Sequence, residues 1–112
     1  MIRTVNLAEM FERFPDFWSP KIVGDVNDVH VKLVKLKGEF VWHHHDREDE
    51  LFFVLEGTLL LDVEPPGGRA TTFTLERHQA IVVPHGVRHR TRSPERSVVL
   101  MVEPASVAPT GD

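Results

Sequence analysis

The chain contains no cysteine. That excludes disulfides, thiolate nucleophiles, cysteine-type zinc sites and iron–sulfur clusters, and it leaves no cysteine usage from which to read a redox compartment. No apolar run approaches the roughly 20 residues of a membrane-spanning helix. The opening Met1-Ile2-Arg3-Thr4-Val5-Asn6 does not lead into the apolar stretch of a secretory signal. A cytoplasmic location, with no membrane partner, is the expectation. Excess positive charge is also missing: 13 Lys+Arg against 17 Asp+Glu give a net charge of −4. That balance argues against a nucleic-acid partner, which needs a basic footprint. No repeat and no linker divides the 112 residues, so one domain over 1–112 is expected, large enough to bury a core without a staple. With 41% hydrophobic and 27% charged residues, the composition is that of a globular protein.

Histidine stands out, with seven in the chain. Five of them are His43, His44, His45, His85 and His89. Their meaning depends on the elements that carry them. Leu7, Met10, Phe11 and Phe14 recur at helical spacing, Asn6 and Glu9 form a capping-box-like pair, and Pro15 stops the run. These predict a short helix over 5–14. After Pro20 the pattern turns to β-branched alternation. It predicts strands near 22–26, 29–37, 40–45, 50–56, 58–64, 70–75, 79–83, 87–92 and 97–103, punctuated by Gly and Pro turns. Eight or nine short strands without intervening helices indicate an all-β sandwich or barrel. The stretch 51–55 is apolar on both faces and has to be covered on both. The tail 104–112 has little to bury and is expected to be loose.

On a strand, His43 and His45 point to one face and His44 to the other. Two imidazoles at i, i+2 form a clamp for a metal. The acidic run Asp46, Glu48, Asp49, Glu50 follows, and His89 lies on a later strand after the turn Pro84-His85-Gly86. Neutral imidazoles and one carboxylate are ordinary ligands for divalent zinc, iron, manganese, nickel or copper.

The arrangement resembles the cupin superfamily. Its first motif is matched by Gly38, four residues, His43-x-His45, four residues, Glu50, six residues, Gly57. Its second is matched by Pro84-x-Gly86-x-x-His89, with His78 where the motif opens on Gly and Ser93 where it closes on Asn. The resemblance spans roughly residues 29–103. It implies a double-stranded β-helix, or jelly roll, forming a barrel over 22–103. It also implies one divalent transition metal ion per chain (Fe, Mn, Ni, Zn or Cu) on His43, His45, Glu50 and His89. Glu50 is preferred over Asp49 because it alone lies six residues before Gly57. The family includes dioxygenases, isomerases and non-catalytic binders, so the fold leaves the reaction open. The expectation is a metal-dependent isomerase- or dioxygenase-like enzyme on a small anionic or hydroxy-keto molecule. The alternative is a binding or sensing protein without turnover.

Strand parity assigns the neighbours. Phe52 and Val54 share the parity of Glu50, and Thr91 that of His89. With His85 at the mouth, they are the candidate ligand pocket. Arg88, Arg90 and Arg92 fall on the opposite face and read as a solvated or interface strand balancing nearby acids. His30, His44 and His78 read as surface residues, and Trp18 as a lid or packing residue. Glu56 and His85 are the only candidates for a general acid or base. Phe40, Trp42 and Phe53 are expected to face outward and, together with 51–55, to form a homodimer interface.

Overall fold

A computed structural model describes residues 2–112. The helix is α1, Leu7–Arg13. Asn6 caps it, its side-chain oxygen accepting from Glu9 N at 3.0 Å, which satisfies one of the free donors of the first turn. Phe11 on its inner face packs with Leu33 and Val98, flanked by Leu7, Met10 and Phe14. The periodic apolar residues thus cover one end of the sheet.

Seven strands follow: β1 Lys21–Val26, β2 Val29–Glu39, β3 Glu50–Glu56, β4 Leu59–Glu64, β5 Thr71–Leu75, β6 Ala80–Val83 and β7 Arg88–Pro104. The two strands predicted at 87–92 and 97–103 are one. Opposite β2, Ser93 pairs with Gly38 and Ser97 with Leu36. Pro94, Glu95 and Arg96 therefore face the single residue Lys37 as a bulge. A bulge is where a strand tolerates proline and bends. The neck is closed by a hydrogen bond between the Ser93 and Ser97 hydroxyls at 2.7 Å. Ser93 Oγ also donates to Glu95 O. Ser93, at the motif's Asn position, thus serves the bend of its own strand.

The bend distributes the partners of β7. Its first part, Arg88–Arg92, pairs with β4. Its second part lies between β2 and β3. The sheet order is β1-β2-β7-β3-β6, with β4 on β7 and β5 on β4. One buried cluster joins both parts: Val34, Leu36, Phe52, Val54, Leu59, Leu61, Leu75, Val83 and Val99. Each large apolar side chain removed from water here contributes roughly 1.5–3 kcal/mol.

The expectation of a closed double-stranded β-helix barrel is corrected by these pairings. Among the described residues β5 pairs only with β4 and β6 only with β3, so no ladder joins the ends and the sheet stays open. β5 has little cause to seek a cover, because Thr71, Thr72, Phe73 and Thr74 are all exposed. The strand predicted at 40–45 is also absent as a strand. That segment makes a single bridge, His43 to His89, and is otherwise loop.

Two further expectations about surfaces change. Phe40 and Trp42 are covered by this chain itself. Trp18 stacks on Phe40 at 5.3 Å, while the Arg88 and Arg90 guanidinium groups lie 4.9 and 5.0 Å over the Trp42 ring. Arg90 and Arg92 are not free in solvent either. They converge on buried Asp62, with Arg92 Nε and Nη2 at 2.6 and 2.9 Å and Arg90 Nε at 2.8 Å. The Arg92 bonds hold the Asp62 carboxyl well below the usual carboxylate range, against the upward push of burial and with help from Thr72 and Arg90. A carboxylate with a depressed folded-state pKa stabilises the fold fully above its unfolded value of about 3.9, and that stabilisation is lost as pH falls. Asp62→Asn is expected to cost about 2 kcal/mol at neutral pH, nearly as much at pH 4, and progressively less as the pH falls below about 4. Urea melts of both proteins from pH 7 down to pH 2 check it; a gap that does not narrow at all between pH 4 and pH 2 would contradict the role given to Asp62.

No helix among the described residues is long and apolar enough to cross a membrane.

Candidate metal centre

The loop 40–45 is tied to β7 by backbone bonds. Phe40 N donates to Thr91 O at 3.0 Å, His43 N to His89 O at 2.9 Å, and His89 N to His43 O at 2.8 Å. His43 and His45 therefore lie beside His89 without a full strand, and Gly86 N, donating to His45 O at 2.8 Å, fixes the far side. β3 brings in Glu50 as its first residue. Ligand atoms of His43, His45, Glu50 and His89 all lie within 4.8 Å of one another. His45, Glu50 and His89 are 2%, 3% and 1% exposed, while His43 is half-buried and is the open side of the cluster.

The ring nitrogens suit a cation. His43 Nδ1 lies 3.0 Å from Val41 O, and His89 Nδ1 lies 2.9 Å from Val87 O. A carbonyl can only accept, so both rings carry a proton on Nδ1 and turn Nε2 to the cluster, the orientation a metal ligand needs. Burial lowers the His43 pKa, keeping the ring neutral, with His89 and His45 adding to the effect and Val41 and Glu50 opposing it. His89 Nε2 and His45 Nε2 approach Glu50 Oε1 at 2.9 and 3.1 Å. Neither nitrogen of His45 has a partner in hydrogen-bond geometry. Buried polar atoms without partners are costly, and a divalent ion among the four residues would satisfy His45 and Glu50 together. The donor set fits such an ion.

Glu50 has a buried neighbour that sequence reasoning missed. Leu51 pairs with Val102 across β3 and β7, and the next antiparallel step sets Glu50 opposite Glu103, which is 3% exposed. Burial and the contact with Glu50 push the Glu103 pKa up, to about 7, while Lys32 pulls it down. Burial also pushes Glu50 up, but hydrogen bonds from His89 and Glu103 and the charges of His45 and His89 outweigh it, and Glu50 stays low. Lys32 Nζ donates to Glu103 Oε1 at 2.8 Å. The available signal was parity: Glu103 is in phase with the core residues Val99 and Met101.

The other candidates sort by contact. Asp49 is exposed, and its Oδ1 accepts from His85 N and meets His85 Nδ1, both at 2.8 Å. His85 therefore stands on the exposed turn, 62% exposed in its side chain. Phe52 meets the His89 ring edge to face at 6.3 Å. Val54 is wholly buried in the main core and Thr91 is 6% exposed. His44 is partly exposed beside Asp46 at 3.1 Å, and Glu56 pairs with Arg96 at 2.7 Å. Trp18 holds φ 61 and donates from Nε1 to Lys37 O at 2.9 Å. Through Phe40 it backs His43, whose ring meets Phe40 at 5.4 Å. His78 takes φ 72, supplying the left-handed turn for which the motif uses Gly.

Comparison with known proteins places this geometry. A protein from Bacillus subtilis (strain 168), the uncharacterized protein YdbB, is 44% identical over 81 residues, covering 72% of this chain and 68% of that protein. A cupin-2 domain containing protein from Shewanella frigidimarina NCIMB 400 superposes with a TM-score of 0.83 at 37% identity, covering 89% of this chain and 93% of that one. Hydroquinone 1,2-dioxygenase from Sphingomonas sp. TTNP3, solved with 4-hydroxybenzoate bound, superposes with a TM-score of 0.81 at 24% identity. That match covers 96% of this chain and 33% of the dioxygenase, and it is a likeness of fold. The family model described as "Cupin domain" matches residues 30–103, two thirds of the chain, and the chain belongs to that family.

Proposed function

We propose that this protein holds one divalent transition metal ion on His43, His45, Glu50 and His89 and acts with it on a small oxygenated molecule. The reaction is of the isomerising or dioxygenating kind. The observation that carries the reading is the set of four convergent donors, three of them buried, with His45 unpartnered. Bound there, an iron, manganese, nickel, zinc or copper ion supplies Lewis acidity or a place for dioxygen beside a chelating substrate.

The chain's own residues set the terms. Three neutral imidazoles and one carboxylate leave a divalent centre at net +1, which favours carboxylate, enediolate or hydroxy-keto oxygens. Val41 O and Val87 O hold the His43 and His89 rings in one tautomer. Phe52 supplies an apolar wall beside His89, and His43 is the half-open side from which a ligand enters. Thr91 and, at the turn, His85 complete the assignment of the pocket. The same reading takes the protein as a cytoplasmic homodimer. Phe73 and Val82, 45% and 54% exposed, are apolar surface that a partner would cover.

The test is elemental analysis of untagged protein prepared without chelator, beside the His43→Ala/His89→Ala double variant. About one metal ion per chain is expected in the wild type and none in the variant. Loaded protein is then assayed for dioxygen uptake and isomerisation with hydroxy-ketones and diketones. A wild type that takes up no metal on titration would sink the proposal.

A further inference from the structure

Two of the three clustered histidines are held by the carbonyl two residues before them, Val41 O for His43 and Val87 O for His89. His45 makes no such bond. The carbonyl two residues before it, that of His43, accepts from His89 N at 2.8 Å instead. The His45 ring is 2% exposed and neither of its nitrogens has a partner. A ring that gives one nitrogen to a metal must place the proton of the other somewhere, and a carboxylate is the strongest acceptor for it. Outside the four-residue cluster, two carboxylates reach His45: oxygens of Glu48 and Asp112 lie within 4.8 Å of one of its nitrogens and of each other.

Asp112 is aimed at that position by its backbone. Asp112 N donates to His44 O at 2.9 Å, and Asp112 Oδ2 accepts from Asp46 N at 2.6 Å. These bonds grip the residues on either side of His45. Gly111 makes the approach possible. It holds φ +87, and a Cβ there would lie 2.6 Å from His43 Cβ and 2.8 Å from His44 O. Only a residue without a side chain fits between the segment and the histidine loop. Ser106 Oγ donates to Glu48 Oε2 at 2.7 Å, pinning the other end.

We infer that Ser106–Asp112 is a strap that positions His45 as a metal ligand, with the Asp112 carboxylate taking the ring's free N–H. The inference rests on the metal reading above. Glu48 anchors the strap through Ser106 and does not act on the ring.

The test is cobalt(II) titration of metal-free wild type, Asp112→Ala, Asp112→Asn, Gly111→Ala and Glu48→Gln, read by visible absorption, with thermal melts of the metal-free proteins. Asp112→Ala and Gly111→Ala are expected to bind cobalt about 10–100-fold more weakly and to show an altered ligand-field spectrum. Asp112→Asn, which keeps an acceptor oxygen, recovers most of the affinity. Glu48→Gln, which keeps an acceptor for Ser106, loses less affinity than Asp112→Ala does, and metal-free melting temperatures hardly move. Wild-type affinity in Asp112→Ala overturns the inference. So does a loss in Glu48→Gln equal to that in Asp112→Ala, or two cobalt ions per chain, since the carboxylates would then hold a second cation. A loss in Asp112→Ala that Asn does not rescue and that follows a drop in metal-free melting temperature overturns it too, leaving only a general brace. If the wild type binds no cobalt at all, it is the metal reading that has failed.

Discussion

Glu50→Gln is expected to weaken divalent-metal binding by more than the roughly 10–100-fold that an outer hydrogen-bond partner is worth, while leaving the metal-free fold no less stable than the wild type. The two halves of that result have one cause. Glu50 is the only carboxylate in the cluster, so the amide removes the charge that offsets the cation and one of its four donors. In the metal-free protein Glu50 stands directly across from Glu103, each 3% exposed. Like groups facing each other across a ladder are unfavourable unless a proton or a cation intervenes. Glutamine keeps the shape, accepts from His89 and donates to Glu103, so the facing pair is hydrogen-bonded and no longer sets two ionisable carboxyls against each other. Metal titration, with urea melts in chelator, reads both halves. A metal-free Glu50→Gln protein several kcal/mol less stable than the wild type would show that the carboxylate braces the fold.

Gly57→Ala is the second large effect. Gly57 lies in the turn between β3 and β4 at φ 83, which costs an L-residue about 1–2 kcal/mol. An added Cβ would also meet Arg96 O at 2.6 Å, Ser97 Cα at 3.0 Å and Ser97 Cβ at 3.1 Å. Two of these atoms are backbone, at the bulge of β7, so relief requires moving the strand, at about 1–3 kcal/mol more. A loss of about 3 kcal/mol corresponds to a melting temperature lower by roughly 12 °C in a chain of this size. Metal at a hundred times its dissociation constant should return about 2.7 kcal/mol by mass action. Calorimetry with and without metal checks both numbers. A Gly57→Ala protein that melts with the wild type would remove the reason given for this glycine.

The histidine and glutamate spacing was legible because it lies in two short local segments, each fixed by its own turn. Alternation also placed the seven strands within a residue or two, apart from the junction in β7. What could not be read depended on pairing across the sheet. Ser93-Pro94 reads as a chain break because proline cannot continue a ladder, yet the structure places it in a bulge, which requires no donor there. The sheet's failure to close is a property of the far edges of β5 and β6, and no residue within either strand announces it. Glu103 was overlooked because its importance lies in the register that sets it against Glu50. Arg90 and Arg92 were placed on the correct face, but their acceptor, Asp62, belongs to a neighbouring strand. Residues 40–45 alternate as a strand does, but only His43 forms a ladder bridge, to His89, and the rest of the segment is held by single bonds such as those from Phe40 N to Thr91 O and from Gly86 N to His45 O.

The 17 residues of β7 also govern when this protein can fold. Among the described residues they are the only strand that pairs with both β2 and β3, and the only partner of β4 besides β5. Until they leave the ribosome, the nascent chain can form the β1–β2 and β4–β5 hairpins and the β3–β6 ladder, but it cannot join them. His43, His45 and Glu50 are all made before His89, so the half-built cluster waits without its fourth member and without the strand that buries it. Assembly is therefore expected to be a single event that waits for β7, with non-local closure setting its rate. Metal capture would follow the same clock, because a chain stalled before residue 88 offers three donors on an unfixed loop and strand.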